Sequence, residues 1–269
     1  MDNRRTMDGL CDAEAVIRRI KVCVNGGRLA GEHPALPVTP EQSAAAASGA
    51  VVAGAEAVHL HPRDTTGAES LAAADIGAAV AAVRAACPGT PVGVSTGLWI
   101  TGGDVARRRE LVSAWAGLPS AARPDFASVN LSEDGFAGLV AELGPAGIDV
   151  EAGVWSTADA ESLAAAGVPV LRVLVEIVGA AAFDAIGAAD AILQSLDKAG
   201  VTAPRLLHGE GDACWPLIAH AGRLGLATRV GLEDTLVNPD GTTATDNADL
   251  VRRALALRGE IDRGAVAGP

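Results

Sequence analysis

Eight short apolar runs, each followed by an amphipathic helical stretch, constrain the fold of this 269-residue chain more than any other feature. The runs are predicted strands at 20–25, 55–61, 91–96, 125–131, 148–155, 169–176, 205–210 and 228–234. Helices are expected near 41–53, 72–86, 104–116, 134–143, 158–166, 180–199, 213–225 and 245–258. Strands that alternate with helices indicate a parallel sheet. Eight such units predict an α/β fold, a single (β/α)8 TIM barrel with eight parallel strands.

A doubly wound open sheet is the competing fold. Such sheets usually have fewer strands and carry a glycine-rich turn after the first one. The N-G-G-R segment at 25–28 matches that turn only weakly. The barrel is therefore the better prediction, as one catalytic domain over 19–269 with an N-terminal extension over 1–18.

Reactive polar residues concentrate at the carboxyl ends of the predicted strands. They are Asn25, His59, His61, Ser95, Asn130, Glu151, His208, Glu210, Arg229, Glu233 and Asp234. Active sites of (β/α)8 barrels lie at this end of the barrel. The sequence therefore predicts an active site in the barrel mouth.

A histidine pair, His59 and His61, stands at the end of the second predicted strand. Residues i and i+2 of a strand point to the same side, about 7 Å apart along the backbone. Two imidazoles at that spacing can bind one divalent metal, and zinc suits them best. The alternative is that both histidines are ordinary core or rim residues.

A catalytic metal site needs a third ligand, and closure of the barrel offers one. Strands 8 and 2 are then two positions apart, about 10 Å between backbones, so inward side chains can meet. Glu233 is the predicted third ligand, which gives a His-His-Glu set with an open position, typical of catalytic zinc. A capping or loop role for Glu233 is the alternative, with Glu210, His208 and Glu151 as other possible ligands.

Four segments in this order resemble one enzyme family. They are V-H-L-H-P-R-D-T-T-G-A-E-S-L at 58–71, P-V-G-V-S-T-G at 91–97, H-G-E-G at 208–211 and T-R-V-G-L-E-D-T at 228–235. The chain resembles the β-keto acid cleavage enzymes over roughly residues 20–258. These are zinc-dependent (β/α)8 proteins, formerly a family of unknown function.

The resemblance implies both residue roles and a reaction. It implies zinc binding by His59, His61 and Glu233, and a catalytic group of Ser95, Arg229 and Asp234. The family reaction takes a β-keto acid and acetyl-CoA, condenses them, and cleaves the product to acetoacetate and a new acyl-CoA.

The same chemistry can be argued from the residues. Cleavage of a carbon–carbon bond next to a ketone needs a polarised ketone, and zinc supplies a Lewis acid. Asp234 adjoins the predicted ligand Glu233 and is the candidate base. Arg229, four residues before Glu233 on one predicted strand, is expected to share its face and to orient Asp234 or bind a carboxylate. Ser95 is expected to donate a hydrogen bond.

Candidate substrate-binding residues are Asn25, Arg28, Asn130 and Glu151. The family commonly places a glutamate just after strand 1, where it helps to bind the polar end of the substrate. This chain has Arg28 in that turn. Such a change disfavours a substrate with an amino group and favours a neutral or acidic side group. A solvent-facing loop role for Arg28 is the alternative.

The net charge of −12 argues against nucleic acid as a partner and requires a local basic pocket for coenzyme A. Candidate contacts to its phosphates are Arg63, the run 107–109 and the backbone of the turn at 209–211. The alternative is that residues 107–109 simply form a solvent-exposed face of a helix.

The remaining expectations concern the setting of the protein. No run of about 18 apolar residues is present, so no membrane association is expected. Four cysteines without a C-x-x-C motif favour free thiols and a cytoplasmic location. Apolar outer helices and the family resemblance favour a homo-oligomer, specifically a homotetramer.

Several other enzyme classes are disfavoured. A Schiff-base aldolase needs a lysine at a strand end in the barrel mouth, but Lys21 begins strand 1 and Lys198 closes a helix. An amidohydrolase needs histidines on strands 5 and 6, which have none. The runner-up is another metal-dependent hydrolase or lyase acting on a small carboxylate. A non-catalytic metal-binding or acyl-CoA-binding protein would have no need of the charged cluster beside the metal.

Overall fold

The computed structural model of the chain describes residues 17–266, with side chains through residue 259. Its strands are β1 (Ile20–Cys23), β2 (Ala57–Leu60), β3 (Val92–Ser95), β4 (Phe126–Asn130), β5 (Asp149–Val154), β6 (Arg172–Ile177), β7 (Arg205–Gly209) and β8 (Thr228–Val230). Its helices are α1 (Pro40–Val52), α2 (Ala73–Ala86), α3 (Val105–Ser113), α4 (Phe136–Leu143), α5 (Thr157–Ala166), α6 (Ala182–Lys198), α7 (Cys214–Arg223) and α8 (Asn247–Val266). Most of the predicted extension over 1–18 lies outside the described residues.

The eight strands form one parallel sheet that closes on itself. Their order is β7-β6-β5-β4-β3-β2-β1-β8, and every adjacent pair is parallel. A bridge between Leu206 and Ala227 joins β7 to the start of β8, where Leu207 N donates to Ala227 O at 3.0 Å. This closure confirms the predicted (β/α)8 TIM barrel and rules out the open doubly wound sheet.

Each strand is shorter than predicted or shifted by a residue or so, and one difference matters for the site. β8 ends at Val230, so Glu233 and Asp234 lie in a turn whose amides at 234 and 235 donate to Gly231 O. The expectation that Arg229 and Glu233 share one strand face is therefore wrong. The two side chains meet because the turn places Glu233 beside the end of β1, where its backbone N donates to Cys23 O at 3.3 Å.

The pleat of the strands separates two cores. On β1, Ile20 and Val22 pack into the main cluster between sheet and helices, so Lys21 faces the barrel interior. Interior space at the amino-terminal ends of the strands is filled by a second apolar cluster that includes Phe126 and Leu174. The outer helices are rich in alanine, whose small side chain lets helices pack closely on the sheet.

A buried ion cluster, Lys21, Glu151 and Arg172, lies inside the barrel. Lys21 Nζ is 2.5 Å from Glu151 Oε2, and Arg172 Nε is 2.9 Å from Glu151 Oε1. Both cations also lie over the Phe126 ring, at 5.6 and 5.3 Å from its centroid. Burial opposes ionisation of Glu151, but the two cations outweigh it and lower its pKa. We call this group the interior ion cluster.

No helix in the described part of the chain combines the length and the apolar character that a membrane crossing requires.

Candidate active site

A cavity of about 460 Å³ opens at the carboxyl ends of the strands. The predicted site residues that line it are Arg28, His59, His61, Ser95, Asn130, Arg229 and Glu233. Its walls are completed by Gly27, Glu32, Trp99, Ser128, Trp155, Glu176, Val178 and Glu210. Most of the polar residues at the predicted strand ends therefore line one cavity in the barrel mouth.

His59, His61 and Glu233 converge in this cavity. Glu233 Oε2 lies 3.8 Å from His59 Nε2 and 3.7 Å from His61 Nε2, too far for hydrogen bonds. One ligand atom from each residue falls within 4.8 Å of the other two. Ligand atoms about 2.0–2.2 Å from a tetrahedral ion lie about 3.3–3.5 Å apart, so a small contraction of this set would bind one metal ion.

An unsatisfied polar atom marks the same place. Glu233 Oε2, the oxygen that faces both imidazoles, is buried and has no hydrogen-bond partner among the described residues. Burial and the nearby charges of Lys21 and His61 lower the pKa of His59, so its imidazole is neutral. A neutral imidazole and a free carboxylate oxygen are the donor states that zinc requires, and the residues fit a metal.

The two histidines are held in different ways. His59 is the third residue of β2, in register with Cys23 on one side and Gly93 on the other. His61 lies beyond the last strand residue, Leu60, and needs other supports. Asn25 supplies one, because its Oδ1 accepts from His61 N and its Nδ2 donates to His61 O, both at 2.9 Å.

Glu233 reaches the histidines because two glycines leave room. A Cβ on Gly26, where φ is +57°, would lie 2.4 Å from Glu233 Cγ. A Cβ on Gly231 would lie 1.8 Å from Cys23 O, so only glycine lets this turn pack against the end of β1. The N-G-G-R turn after strand 1 thus makes space for the third predicted ligand.

Arg229 links Glu233 to Asp234. Its Nη2 donates to Glu233 Oε1 at 2.9 Å and its Nε donates to Asp234 Oδ1 at 3.0 Å. Asp234 is fully buried behind Arg229 and does not line the cavity. Burial raises the pKa of Asp234 to about 8, against the lowering effect of Arg229. We call the five residues His59, His61, Arg229, Glu233 and Asp234 the mouth cluster.

Ser95 and Asn130 line the cavity on the side of β3 and β4. Ser95 Oγ accepts from Gly97 N at 3.2 Å, which leaves its hydroxyl hydrogen for another acceptor. Asn130 Nδ2 donates to Glu133 Oε1 at 2.9 Å. Both side chains can therefore offer polar contacts to a molecule in the cavity.

Other predicted site residues are occupied elsewhere. Asn25 is bound to backbone groups of His61 and Pro37, and Glu151 belongs to the interior ion cluster, so neither lines the cavity that they were expected to help form.

The cationic residues considered for coenzyme A also have partners within the chain. Arg63 donates to the carbonyls of residues 26, 28 and 67 and fastens the loop there. In the run 107–109, Arg107 pairs with Glu110, Arg108 with Glu133, and Arg109 with Glu142. Arg108 is fully buried. These pairings leave the phosphate contacts of coenzyme A unassigned.

Two acidic residues that line the cavity were not predicted as main site residues: Glu176 was given no role, and Glu210 was named only as another possible ligand. Burial raises the pKa of Glu176 and of Glu210 against the lowering effect of Arg229. His208, one of the other possible ligands, instead has its Nε2 3.0 Å from Glu176 Oε2. Glu176 could have been suspected from its place at the end of β6, where a charged residue interrupts an apolar strand.

Glu69 was also not predicted as a site residue, although it contacts the candidate ligand His61. Its Oε1 lies 2.5 Å from His61 Nδ1, and its Oε2 accepts from Trp99 Nε1 at 2.9 Å. Burial opposes its ionisation, but the hydrogen bonds from His61 and Trp99 lower its pKa. A carboxylate eight residues after a candidate ligand, in a G-A-E-S turn, was the available signal.

Comparison with solved structures shows the fold again. The chain is 20% identical to apo ObcA with a TM-score of 0.70, covering 86% of this chain and 63% of that one. ObcA with oxaloacetate gives 19% identity and a TM-score of 0.65, and ObcA with a C4-CoA adduct and oxalate gives 21% and 0.66. These two matches also cover 86% of this chain, so it spans 63–65% of the length of ObcA.

A more distant match, 3-hexulose-6-phosphate synthase from Salmonella typhimurium, has 16% identity and a TM-score of 0.56 over 90% of this chain and 99% of the other. None of the curated proteins compared with the sequence matches it. The family model of the beta-keto acid cleavage enzymes, in contrast, matches residues 19–268. Because that match spans nearly the whole chain, the protein belongs to the β-keto acid cleavage enzyme family.

Proposed function

We propose that the protein is a zinc-dependent β-keto acid cleavage enzyme that uses acetyl-CoA. In the proposed reaction R–CO–CH2–COO⁻ and acetyl-CoA give acetoacetate and R–CO–SCoA, so the acetyl and acyl groups exchange partners. One carbon–carbon bond forms, one breaks, and the thiolate of coenzyme A moves to the acyl fragment. The catalytic group is Ser95, Arg229 and Asp234, beside a metal held by His59, His61 and Glu233.

The observation that carries this proposal is that His59 Nε2 and His61 Nε2 converge on Glu233 Oε2, a buried oxygen without a hydrogen-bond partner among the described residues. Buried polar atoms without partners are costly, and they are retained where a ligand completes them. Two imidazoles and one carboxylate form a common catalytic zinc set with one position open. Bound there, zinc would act as a Lewis acid that polarises the keto oxygen of the substrate.

The protein's own groups supply charge and proton handling. Arg229 lines the cavity and is fixed by Glu233 and Asp234, so it can orient a carboxylate or an oxyanion without further ordering. We assign proton acceptance to Asp234, the buried partner of Arg229, since its raised pKa suits exchange near neutral pH. Because Asp234 does not line the cavity, the proton would reach it through one intervening water. Ser95 donates its hydroxyl hydrogen to the reacting oxygen.

The substrate side group is proposed to be neutral or acidic. Arg28 lines the cavity, its Nη1 lies 3.3 Å from Glu32 and its Nε donates to Leu232 O. ObcA, the structural neighbour, has been seen with oxaloacetate and with a C4-CoA adduct and oxalate. Oxaloacetate is itself a β-keto acid with an acidic side group, which supports this class of substrate here.

The proposal includes a cytoplasmic homotetramer. The described cysteines, Cys23, Cys87 and Cys214, are free, as in a reducing compartment. Val52 on α1 and Phe183 on α6 are 88% and 85% exposed, and contact with another subunit would cover them. Light scattering after size-exclusion chromatography measures the mass of the assembly.

The reaction is tested by incubating the zinc-loaded protein with acetyl-CoA and a panel of acidic, neutral and cationic β-keto acids. Mass spectrometry then follows acetoacetate and any new acyl-CoA. Products that require acetyl-CoA would support the proposal and rank the side groups. Loss of substrate without acyl-CoA would instead indicate a metal-dependent hydrolase or lyase.

A further inference from the structure

We propose that Glu69 and Trp99 act together as a positioning pair that orients His61 for metal binding, and that this pair sets the metal affinity of the site. The inference rests on the proposed metal site and extends it to residues outside the ligand set. It is carried by the contacts around His61, which differ from those around His59.

His61 requires such a pair because the sheet does not hold it. His59 lies within β2, and its backbone carbonyl accepts from Val24 N at 3.0 Å. His61 follows the strand, and Asn25 fixes only its backbone. Rotation of the imidazole about its side-chain torsions is therefore controlled by groups that touch the ring itself.

Glu69 touches the ring at the nitrogen that faces away from the ligand set. Its Oε1 lies 2.5 Å from His61 Nδ1, while His61 Nε2 faces Glu233 at 3.7 Å. An Nδ1–H donated to a carboxylate fixes the tautomer that leaves Nε2 free as a ligand and makes that nitrogen more basic. The geometry is that of a carboxylate–histidine–metal triad.

Trp99 holds Glu69 in place from the other side. Its Nε1 donates to Glu69 Oε2 at 2.9 Å, so both carboxylate oxygens are occupied. The indole is also stacked on the His61 ring, with centroids 6.2 Å apart and planes 24° apart. Because Trp99 lines the cavity as well, it connects the cavity wall to the metal ligand.

The surroundings of the Glu69 carboxylate support the same assignment. Gly27 leaves space for this carboxylate, since a Cβ there would lie 3.2 Å from Glu69 Oε2. The nearby Arg63 guanidinium donates to backbone carbonyls, so Glu69 has His61 and Trp99 as its side-chain partners.

The test measures the zinc dissociation constant by chelator competition, on full-length protein, without any activity assay. Glu69→Gln is expected to weaken zinc binding about 10- to 100-fold, the usual effect of losing such a partner. Trp99→Phe keeps an aromatic ring but loses the donor, and a smaller loss of about two- to tenfold is expected. Glu32→Gln is the matched control, because Glu32 lines the cavity without touching a ligand, and its affinity should stay within about twofold of wild type.

Two further readouts separate orientation of His61 from general stability. The melting temperature of the metal-free Glu69→Gln protein should match that of the metal-free wild type. In a His61→Ala background, Glu69→Gln should cause no further loss of the residual zinc affinity, because the residue on which it acts is gone.

Equal zinc affinity of wild type and Glu69→Gln would overturn this inference and leave the proposed metal site standing. A wild type that binds no zinc would overturn both. A Trp99→Phe protein with wild-type affinity would remove Trp99 from the pair.

Discussion

The interior ion cluster and the mouth cluster are both buried, charged and built on barrel strands, yet their groups are partnered differently. In the interior ion cluster, both oxygens of Glu151 lie within 2.9 Å of a cation, and the cations lie over the Phe126 ring. In the mouth cluster, Glu233 Oε2 has no hydrogen-bond partner among the described residues and faces His59 Nε2 and His61 Nε2 at 3.8 and 3.7 Å in the cavity.

Under the proposed function, the difference separates charges that stabilise the fold from charges placed to bind a metal ion. The interior ion cluster does not line the cavity, and losing one of its members leaves buried charge uncompensated. An open cluster contributes less to stability by itself and gains when an ion completes it. Burial and charge alone do not identify a functional site, and neither do missing hydrogen-bond partners, which both clusters contain. Metal-ligand atoms that face one another in a cavity are the better indication.

The largest effect is expected where the interior ion cluster is broken. Glu151→Gln leaves Lys21 and Arg172 buried without a counter-charge and should lower the free energy of unfolding by about 3–5 kcal/mol. Urea denaturation measures it. Glu110→Gln, which breaks the exposed pair with Arg107, should cost less than about 1 kcal/mol. If both variants lost the same stability, the assignment of a structural role to the cluster would fail.

Asp234→Asn should leave zinc bound but lower kcat by about 10²- to 10⁴-fold, the usual contribution of a positioned base. Because Asp234 must lose its proton to act, kcat/KM of the wild type should rise with pH. The raised pKa of Asp234 places the midpoint of this rise above the usual range for carboxyl groups. The rise should be absent in the variant. If the variant kept both its turnover and the rise of kcat/KM with pH, another carboxyl group would have to be the base, and Glu210 would be tested first.

Removal of zinc should destabilise the wild type without unfolding it. At a free zinc concentration 100 times the dissociation constant, binding contributes about 2.7 kcal/mol, which chelation removes. The double variant His59→Ala with His61→Ala should show no zinc-dependent change in melting temperature. A folded Glu151→Gln protein should still show it, since the interior ion cluster holds no ligand atom. Stoichiometric zinc in the double variant would contradict the ligand assignment.

The smallest effect is expected at the edge of the cavity. Arg28→Ala should reduce the preference for acidic over neutral β-keto acids by about tenfold in kcat/KM, the value of one charge-assisted contact. Competition between two substrates in one reaction measures the ratio directly. An unchanged ratio would mean that Arg28 does not select the substrate and only contacts Glu32 and Leu232 within its loop.

The sequence predicted the barrel, and the convergence of the candidate ligands His59, His61 and Glu233, for physical reasons. Alternating apolar runs specify parallel strands, and closure brings β2 and β8 near each other, so His59 and Glu233 could be paired in advance. The sequence did not predict that Glu233 lies in a turn, because that depends on space left by Gly26 and Gly231. Nor did it separate Glu151 from the strand-end residues, since its partners Lys21 and Arg172 lie far away in the chain and only the fold brings them together.

The most direct test of the proposed activity uses acetyl-CoA labelled with carbon-13 in both acetyl carbons. With an unlabelled β-keto acid and the zinc-loaded enzyme, the account predicts acetoacetate labelled at the ketone and methyl carbons and an unlabelled new acyl-CoA. Labelled acetate with free coenzyme A, or acetoacetate without label, would contradict it, because neither product arises from an exchange of acyl partners between acetyl-CoA and a β-keto acid.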